Sequence, residues 1–263
     1  MDLQLTGKTA FVTGSTQGIG YAIARALAGE GVRVTLNGRE PAKLAAAVET
    51  LRQEVPGALV DGFAADFSDP GQVERLCGEL PNVDILVNNV GLFELKPFAE
   101  ITADEWHQYF QVNTLSGARL ARRLMPGMLE RGWGRIVFIS SESGVNVPAD
   151  MIHYGASKAA VMAIGNGLAK LTRGSGVTVN SVLGGPAYSD GVAGTVEALA
   201  AQSGMAPEEM KRTIIAANQT TLLERFIEPA EIASMVVFLA SPRASATNGA
   251  AVRVDGGVLT AVL

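Results

Sequence analysis

Two residues four apart, Tyr154 and Lys158, lie at the start of a long helical pattern in this chain of 263 residues. Four residues is about one helical turn, so the two side chains share a face. A free phenol titrates near pH ~10, too high for ready proton exchange at neutral pH. A neighbouring ammonium favours the phenolate, and a helix N-terminus adds positive potential. The spacing predicts a tyrosine tuned downward, toward general acid/base work. Upstream, Ser140, Ser141 and Ser143 follow an apolar strand pattern. A hydroxyl at the C-terminal end of a strand can donate to a carbonyl oxygen as negative charge develops there. Such a donor is often worth ~3 kcal/mol in the transition state.

A second cluster lies near the N-terminus, where Thr13-Gly14-Ser15-Thr16-Gln17-Gly18-Ile19-Gly20 joins a strand pattern to a helical one. Glycines there let the backbone turn tightly and approach a pyrophosphate, whose charge the helix N-terminus stabilises. The position inside a βαβ unit predicts a dinucleotide site. The tip of the second strand separates NAD from NADP, because an acid there holds the ribose hydroxyls and repels a 2′-phosphate. Here the chain reads Leu36-Asn37-Gly38-Arg39. No acid stands at the tip, and Arg39 can grip a phosphate in bidentate fashion. NADP(H) is therefore favoured over NAD(H), although Gln17 is uncharged and Glu40 follows Arg39 directly.

The elements that must position these groups alternate. Lys8 to Val12, Val32 to Leu36, Leu59 to Ala64, Ile85 to Val87, Arg135 to Ile139 and Val177 to Val182 are short apolar runs. Continuous rather than alternating runs fit parallel strands covered on both faces. Gly18 to Glu30 and Pro41 to Glu54 read as helices. The capping box Thr102-Ala103-Asp104-Glu105 opens another that should run to about Arg131. Tyr154 to Arg173 is a further long helix. The order predicts an α/β fold, a single-domain Rossmann-like doubly wound parallel sheet with helices on both faces. Residues 186–226 interrupt the rhythm at the sheet's C-terminal edge and are expected to form a substrate lid.

The spacing Gly-x-x-x-Gly-x-Gly at Gly14, Gly18 and Gly20 resembles the nucleotide loop of the short-chain dehydrogenase/reductase family. Asn88-Asn89-Val90-Gly91 is similar to that family's NNAG segment, with Val90 for the usual alanine. Ser141, Tyr154 and Lys158 match its catalytic trio, with the serine thirteen residues ahead of the tyrosine. Val254-Asp255-Gly256-Gly257 is similar to its C-terminal strand signature. The resemblance covers nearly the whole chain, and it implies several roles. Asn113 is the active-site asparagine that orders a water near Lys158, and Lys158 also holds the nicotinamide ribose. Asp66, followed by Phe67, contacts the adenine. Asn89, Val90 and Gly91 pass beside the cofactor. Gly184-Gly185-Pro186 replaces the usual Pro-Gly, and Gly185, Ala187 and Ser189 lie near the carboxamide, Ser189 standing where threonine is usual. The family also implies a homotetramer or homodimer that pairs the two long helices.

Composition narrows the partners. Hydrophobic residues reach 48% and charged ones 18%, too apolar for a disordered chain. The net charge is −5 with no basic run, which argues against nucleic acid. No stretch is long and apolar enough to span a membrane. The opening Met1-Asp2-Leu3-Gln4 lacks a signal-peptide pattern, and one cysteine, Cys77, permits no internal disulfide. Together these predict a cytoplasmic location. His107 and His153 form no ligand set, so no metal is expected; His153 is a candidate for the substrate wall. The leading function is reduction or oxidation of a small, neutral carbonyl or alcohol. A 3-oxoacyl-[acyl-carrier-protein] reductase, with Arg131 and Arg173 meeting an acidic carrier, is the second. A catalytically silent NADP(H)-binding regulator is the third.

Overall fold

The structure is a computed structural model that describes residues 1–218 and 220–262. Seven strands form one sheet: β1 (Thr9–Val12), β2 (Arg33–Gly38), β3 (Val60–Ala64), β4 (Ile85–Asn88), β5 (Gly134–Ser141), β6 (Val177–Gly184) and β7 (Ala251–Val254). Their order is β3-β2-β1-β4-β5-β6-β7, and every pairing is parallel. The chain winds outward from β1 in one direction and then from β4 in the other. The reversal leaves a crevice at the C-terminal ends of β1 and β4, where such sheets bind ligands.

Apolar helix faces cover both sides. On one side lie α1 (Gly18–Gly29), α2 (Pro41–Glu54) and α9 (Pro229–Ala240): Ile23, Leu27 and Leu51 of the first two are buried toward β1, β2 and β3, and Ile232 and Val236 of α9 toward α1, β5 and β6. On the other lie α3 (Pro70–Glu79), α5 (Ser116–Glu130) and α6 (Ile152–Leu171), which bury Leu76, Leu120, Leu124 and Val161 against Phe11, Leu86 and Phe138. β5 and β6 are buried along all eight residues, which carries their ends, Ser141 and Gly184, into register beside each other.

One expected element is divided. The Thr102 capping box forms, with Glu105 N donating to Thr102 Oγ1 and Glu105 Oε2 accepting from Thr102 N. Its helix, α4, ends after one segment (Ala103–Tyr109). A π-helical turn, Phe110–Leu115, precedes α5, so the stretch to Arg131 is not one continuous α-helix. The wider i→i+5 turn rotates the residues within it and brings Val112, Asn113 and Thr114 inward, all buried. Residues 186–226 hold α7 (Asp190–Ser203) and α8 (Pro207–Ala217), with Gln219 of that segment outside the described residues. The two helices bury Val196, Ala200 and Met210 against each other, and a parallel bridge between Ala187 and Ile227 joins the ends of the segment.

Candidate active site

At the switch point the glycine loop folds onto β4. Gly14 and Gly18 adopt φ of +59° and +60°, which side-chain-bearing residues rarely adopt. A Cβ on Gly20 would lie 2.3 Å from Gly14 O, so only glycine lets α1 start this close to the loop. Asn89 Nδ2 donates to Thr13 O at 3.0 Å and Gly14 O at 2.9 Å, while Thr13 Oγ1 accepts from Asn89 N and Val90 N. Asn37 Oδ1 accepts from Gly14 N at 3.0 Å, and its Nδ2 donates to Phe63 O and Ala65 O. Ser15 is fully buried and donates to Val12 O at 2.7 Å. Ser15 and Asn37 were expected at the cofactor. The Ser15 hydroxyl is engaged inside the loop and Ser15 lines none of the three cavities of the site, whereas Asn37 braces the loop and also lines the cavity beside Arg39.

Those three cavities adjoin. One of about 280 Å³ runs from Gly14, Gln17, Gly18, Ile19 and Gly20 past Asn89, Val90 and Gly91 to Ser141, Tyr154, Lys158, Gly185 and Ser189. A second, about 340 Å³, continues it under β2, between Thr16, Asn37, Arg39, Lys43, Asp66 and Phe67. The third, about 620 Å³ and mostly apolar, opens from Ser141, Tyr154 and Ser189 toward Phe93, Ala187, Val192 and Leu199. The first two form a trough edged by glycine backbone, with one end that carries Arg39 and Lys43 beside Glu40 and Asp66 and another lined by hydroxyls. That shape and donor set fit a dinucleotide.

Arg39 is exposed, 3.7 Å from Glu40. Sequence reasoning missed Lys43, whose ammonium hydrogen-bonds the Gln17 side chain from the first turn of α2. The trough thus has a lysine beside the uncharged loop position. Asp66 Oδ1 accepts from Ser68 N at 2.8 Å and Ser68 Oγ at 2.7 Å, while Asp69 caps α3. Near the other end, Gly18 N donates to Asp190 Oδ2 at 2.6 Å, tying the loop to α7. Gly185 packs so closely on Asp255 that a Cβ would meet its carbonyl oxygen at 2.6 Å, which accounts for glycine after β6.

Tyr154 stands in the first turn of α6 and faces Ser141 across the cavity junction. Its phenol is pushed up to about 12. Burial is the largest cause, a hydrogen bond with Ser141 opposes it, and the Glu142 charge adds to it. This corrects the expected lowering. Lys158 Nζ donates to Ile139 O at 2.9 Å and lies 5.7 Å from the tyrosine ring centre, and burial lowers its own value to about 8. Among the chain's own groups burial therefore sets the direction for both residues. Asn113 Oδ1 accepts from Leu92 N at 2.7 Å, and its Nδ2 donates to Leu92 O and Ser157 Oγ. A Cβ on Gly91 would lie 3.3 Å from Lys158 Nζ and 3.6 Å from Asn113 Oδ1, so these groups converge.

His153 does not line the substrate wall. It is buried inside α6 with its ring 4.0 Å from that of Tyr109. Of the stretch from Val145 to His153, expected as the wall, Met151 lines the apolar cavity; Phe93, edge-on to Tyr154 at 6.4 Å, and Glu142 line it too, and sequence reasoning selected neither of these two. Glu142 was legible only as the neighbour of Ser141. Among the described residues no group of three His, Cys, Asp or Glu could hold a metal, and no helix is long and apolar enough to cross a membrane.

The family model for short chain dehydrogenase matches residues 8–200. An uncharacterized oxidoreductase YvrD of Bacillus subtilis (strain 168) is 42% identical, over 98% of this chain and 99% of its own. The D-beta-hydroxybutyrate dehydrogenase of Cupriavidus necator is 33% identical over 96% of this chain and 98% of its own. Among solved structures, L-sorbose reductase from Gluconobacter frateurii, complexed with NADPH and L-sorbose, superposes with a TM-score of 0.92 at 32% identity, covering all of both chains.

Proposed function

The chain belongs to the short-chain dehydrogenase family, and from that membership we propose the finer reading of its chemistry. It is an oxidoreductase of a family that uses a nicotinamide cofactor. In our reading it prefers NADP(H) and interconverts a carbonyl and a secondary alcohol on a small neutral substrate. The observation that carries this is the meeting of Ser141 and Tyr154 at the one junction shared by the trough and the apolar cavity.

The nicotinamide, when bound, supplies or accepts the hydride. The loop from Gly14 to Gly20 and the segment Asn89 to Gly91 would hold the cofactor's backbone, with Asp66 and Phe67 at the adenine end. Gly185, Ala187 and Ser189 would hold the carboxamide end. During reduction Tyr154 delivers a proton to the carbonyl oxygen, and Ser141 donates a hydrogen bond to that oxygen as charge develops. Lys158 would hold the ribose hydroxyls of the cofactor and supply positive charge near the tyrosine. Asn113 fixes Leu92 and Ser157, and so the spacing of the loop from α6. Residues 186–226 act as a lid that excludes water over a single nucleotide-binding domain.

The NADP(H) preference rests on Arg39 and Lys43 lining one cavity, with Asn37, tied inward, where an acid would stand. Fluorescence titration with NADPH and NADH tests it. Arg39→Ala and Lys43→Ala should each weaken NADPH selectively, by roughly 1.5–3 kcal/mol for a charge-assisted contact. Equal losses for both cofactors would remove the clamp. The reductase reading itself is tested by following NADPH consumption with a panel of carbonyls. An acyl-carrier reductase ranks second because Arg131 is engaged, donating to Val83 O at 2.9 Å with Asp84 4.0 Å away. The assembly we expect is a homodimer or homotetramer paired over α5 and α6.

A further inference from the structure

The apolar cavity below α7 contains no Lys, Arg or His among its described lining residues. Its ionisable residues are Tyr154 and two acids, Glu94 and Glu142. Glu94 is exposed at the rim, whereas Glu142 follows Ser141 directly and is partly buried. Glu142 Oε1 accepts from Ser143 Oγ at 2.9 Å. The second carboxylate oxygen has no hydrogen-bond partner among the described residues. The carboxyl lines the cavity together with Ser141 and Tyr154, which places it on the reacting side, and its charge adds to the raising of the phenol. Burial, with Asp255 nearby, also raises the Glu142 carboxyl itself, against the Ser143 hydrogen bond. A partly buried carboxyl with one oxygen open to an apolar cavity can take a further donor there, and the lowered local dielectric strengthens that hydrogen bond.

What enters beside Tyr154 therefore meets an acceptor. A substrate carboxylate there would be desolvated next to a second negative group with no cation on the described cavity wall to offset it. A substrate hydroxyl would complete the empty acceptor position. On the carbonyl–alcohol reading above, we infer that Glu142 determines specificity by accepting a hydrogen bond from a substrate hydroxyl one or two carbons from the reacting carbonyl. The substrates are then neutral hydroxyketones and the corresponding diols, and short oxo acids are excluded.

Four substrates of equal carbon number separate the contributions: butan-2-one, 3-hydroxybutan-2-one, 4-hydroxybutan-2-one and 3-oxobutanoate. For the wild type, kcat/KM with at least one hydroxyketone should exceed that with butan-2-one by roughly 10- to 100-fold, the range of one hydrogen bond to a charged acceptor. The oxo acid should be the poorest. In Glu142→Ala the hydroxyketone-to-butanone ratio should fall toward one. In Glu142→Gln, nearly isosteric, part of that ratio should remain while the handicap of 3-oxobutanoate shrinks, because an acceptor is kept and the charge is removed. Thermal melts and NADPH titration report whether each variant is folded. Turnover with ratios unchanged in both variants overturns the assignment of Glu142 and leaves the reductase reading standing. A wild-type preference for 3-oxobutanoate overturns the assignment without any variant. No turnover of any of the four with NADPH or NADH overturns the reductase reading and the assignment with it.

Discussion

Lys158 is held against its own preference. Burial lowers it to about 8 from an ordinary 10.5, so at neutral pH the folded chain carries an ammonium that its surroundings disfavour. Between about 8 and 10.5 the unfolded chain binds the proton that the folded lysine has released. Stability therefore rises with pH across that window, and the penalty is fully present below it. Lys158→Met should raise the stability measured by urea melts at pH 7 by about 1–3 kcal/mol, with the gain fading by pH 10.5, and should abolish turnover. A loss of stability at pH 7 would contradict this. Tyr154 gives the complementary case. Its phenol at about 12 remains a proton donor throughout neutral pH, so alcohol oxidation, which needs the phenolate, should speed up as pH rises from 7 to 10. Tyr154→Phe should bind NADPH normally in fluorescence titration and lose turnover by orders of magnitude. The pairing of these two residues was legible from their spacing. The sign of the tyrosine's shift was not, because spacing does not show how deeply the phenol is buried.

The turn from β1 to α1 was legible as an element because its glycines answer a backbone requirement. Gly20→Ala tests that requirement: its Cβ would meet Gly14 O and Asn89 Nδ2, at 2.3 and 2.5 Å. The variant should melt several degrees lower and lose measurable NADPH binding; a normal titration would show that the loop yields easily. β1 to β6 were likewise visible as apolar runs, within a residue or two of their ends, whereas β7 was signalled only by the resemblance of Val254 to Gly257. The π-helical turn was not. Phe110–Leu115 has ordinary helical composition, and an i→i+5 register leaves no mark in apolar periodicity. Lys43 was hidden for a related reason: only the angle at which α2 leaves β2 decides that its first turn faces Gln17.

For the molecule as a whole, the division of labour follows the sheet. Buried β-strands fix the trough, while α7 and α8 bury few side chains and only against their own neighbours. Hydrogen exchange should therefore slow in α7 and α8 when NADPH is added, more than in β5 or β6, whose amides are already protected. Equal protection everywhere would show that the segment is as rigid as the sheet. The bridge between Ala187 and Ile227 extends this point. It brings the two ends of the segment together on the sheet, so the chain between them departs and returns at one place. Closing a longer or shorter loop at that point changes the entropy only slowly with length. The segment is thus a replaceable cassette. Its counterpart from a relative of different length, grafted between these two positions with Ala187, Ser189 and Asp190 retained, should leave NADPH affinity within a few-fold while reordering the substrates. In such a lineage, new specificities would arise by exchange of this one stretch, with the cofactor machinery inherited intact.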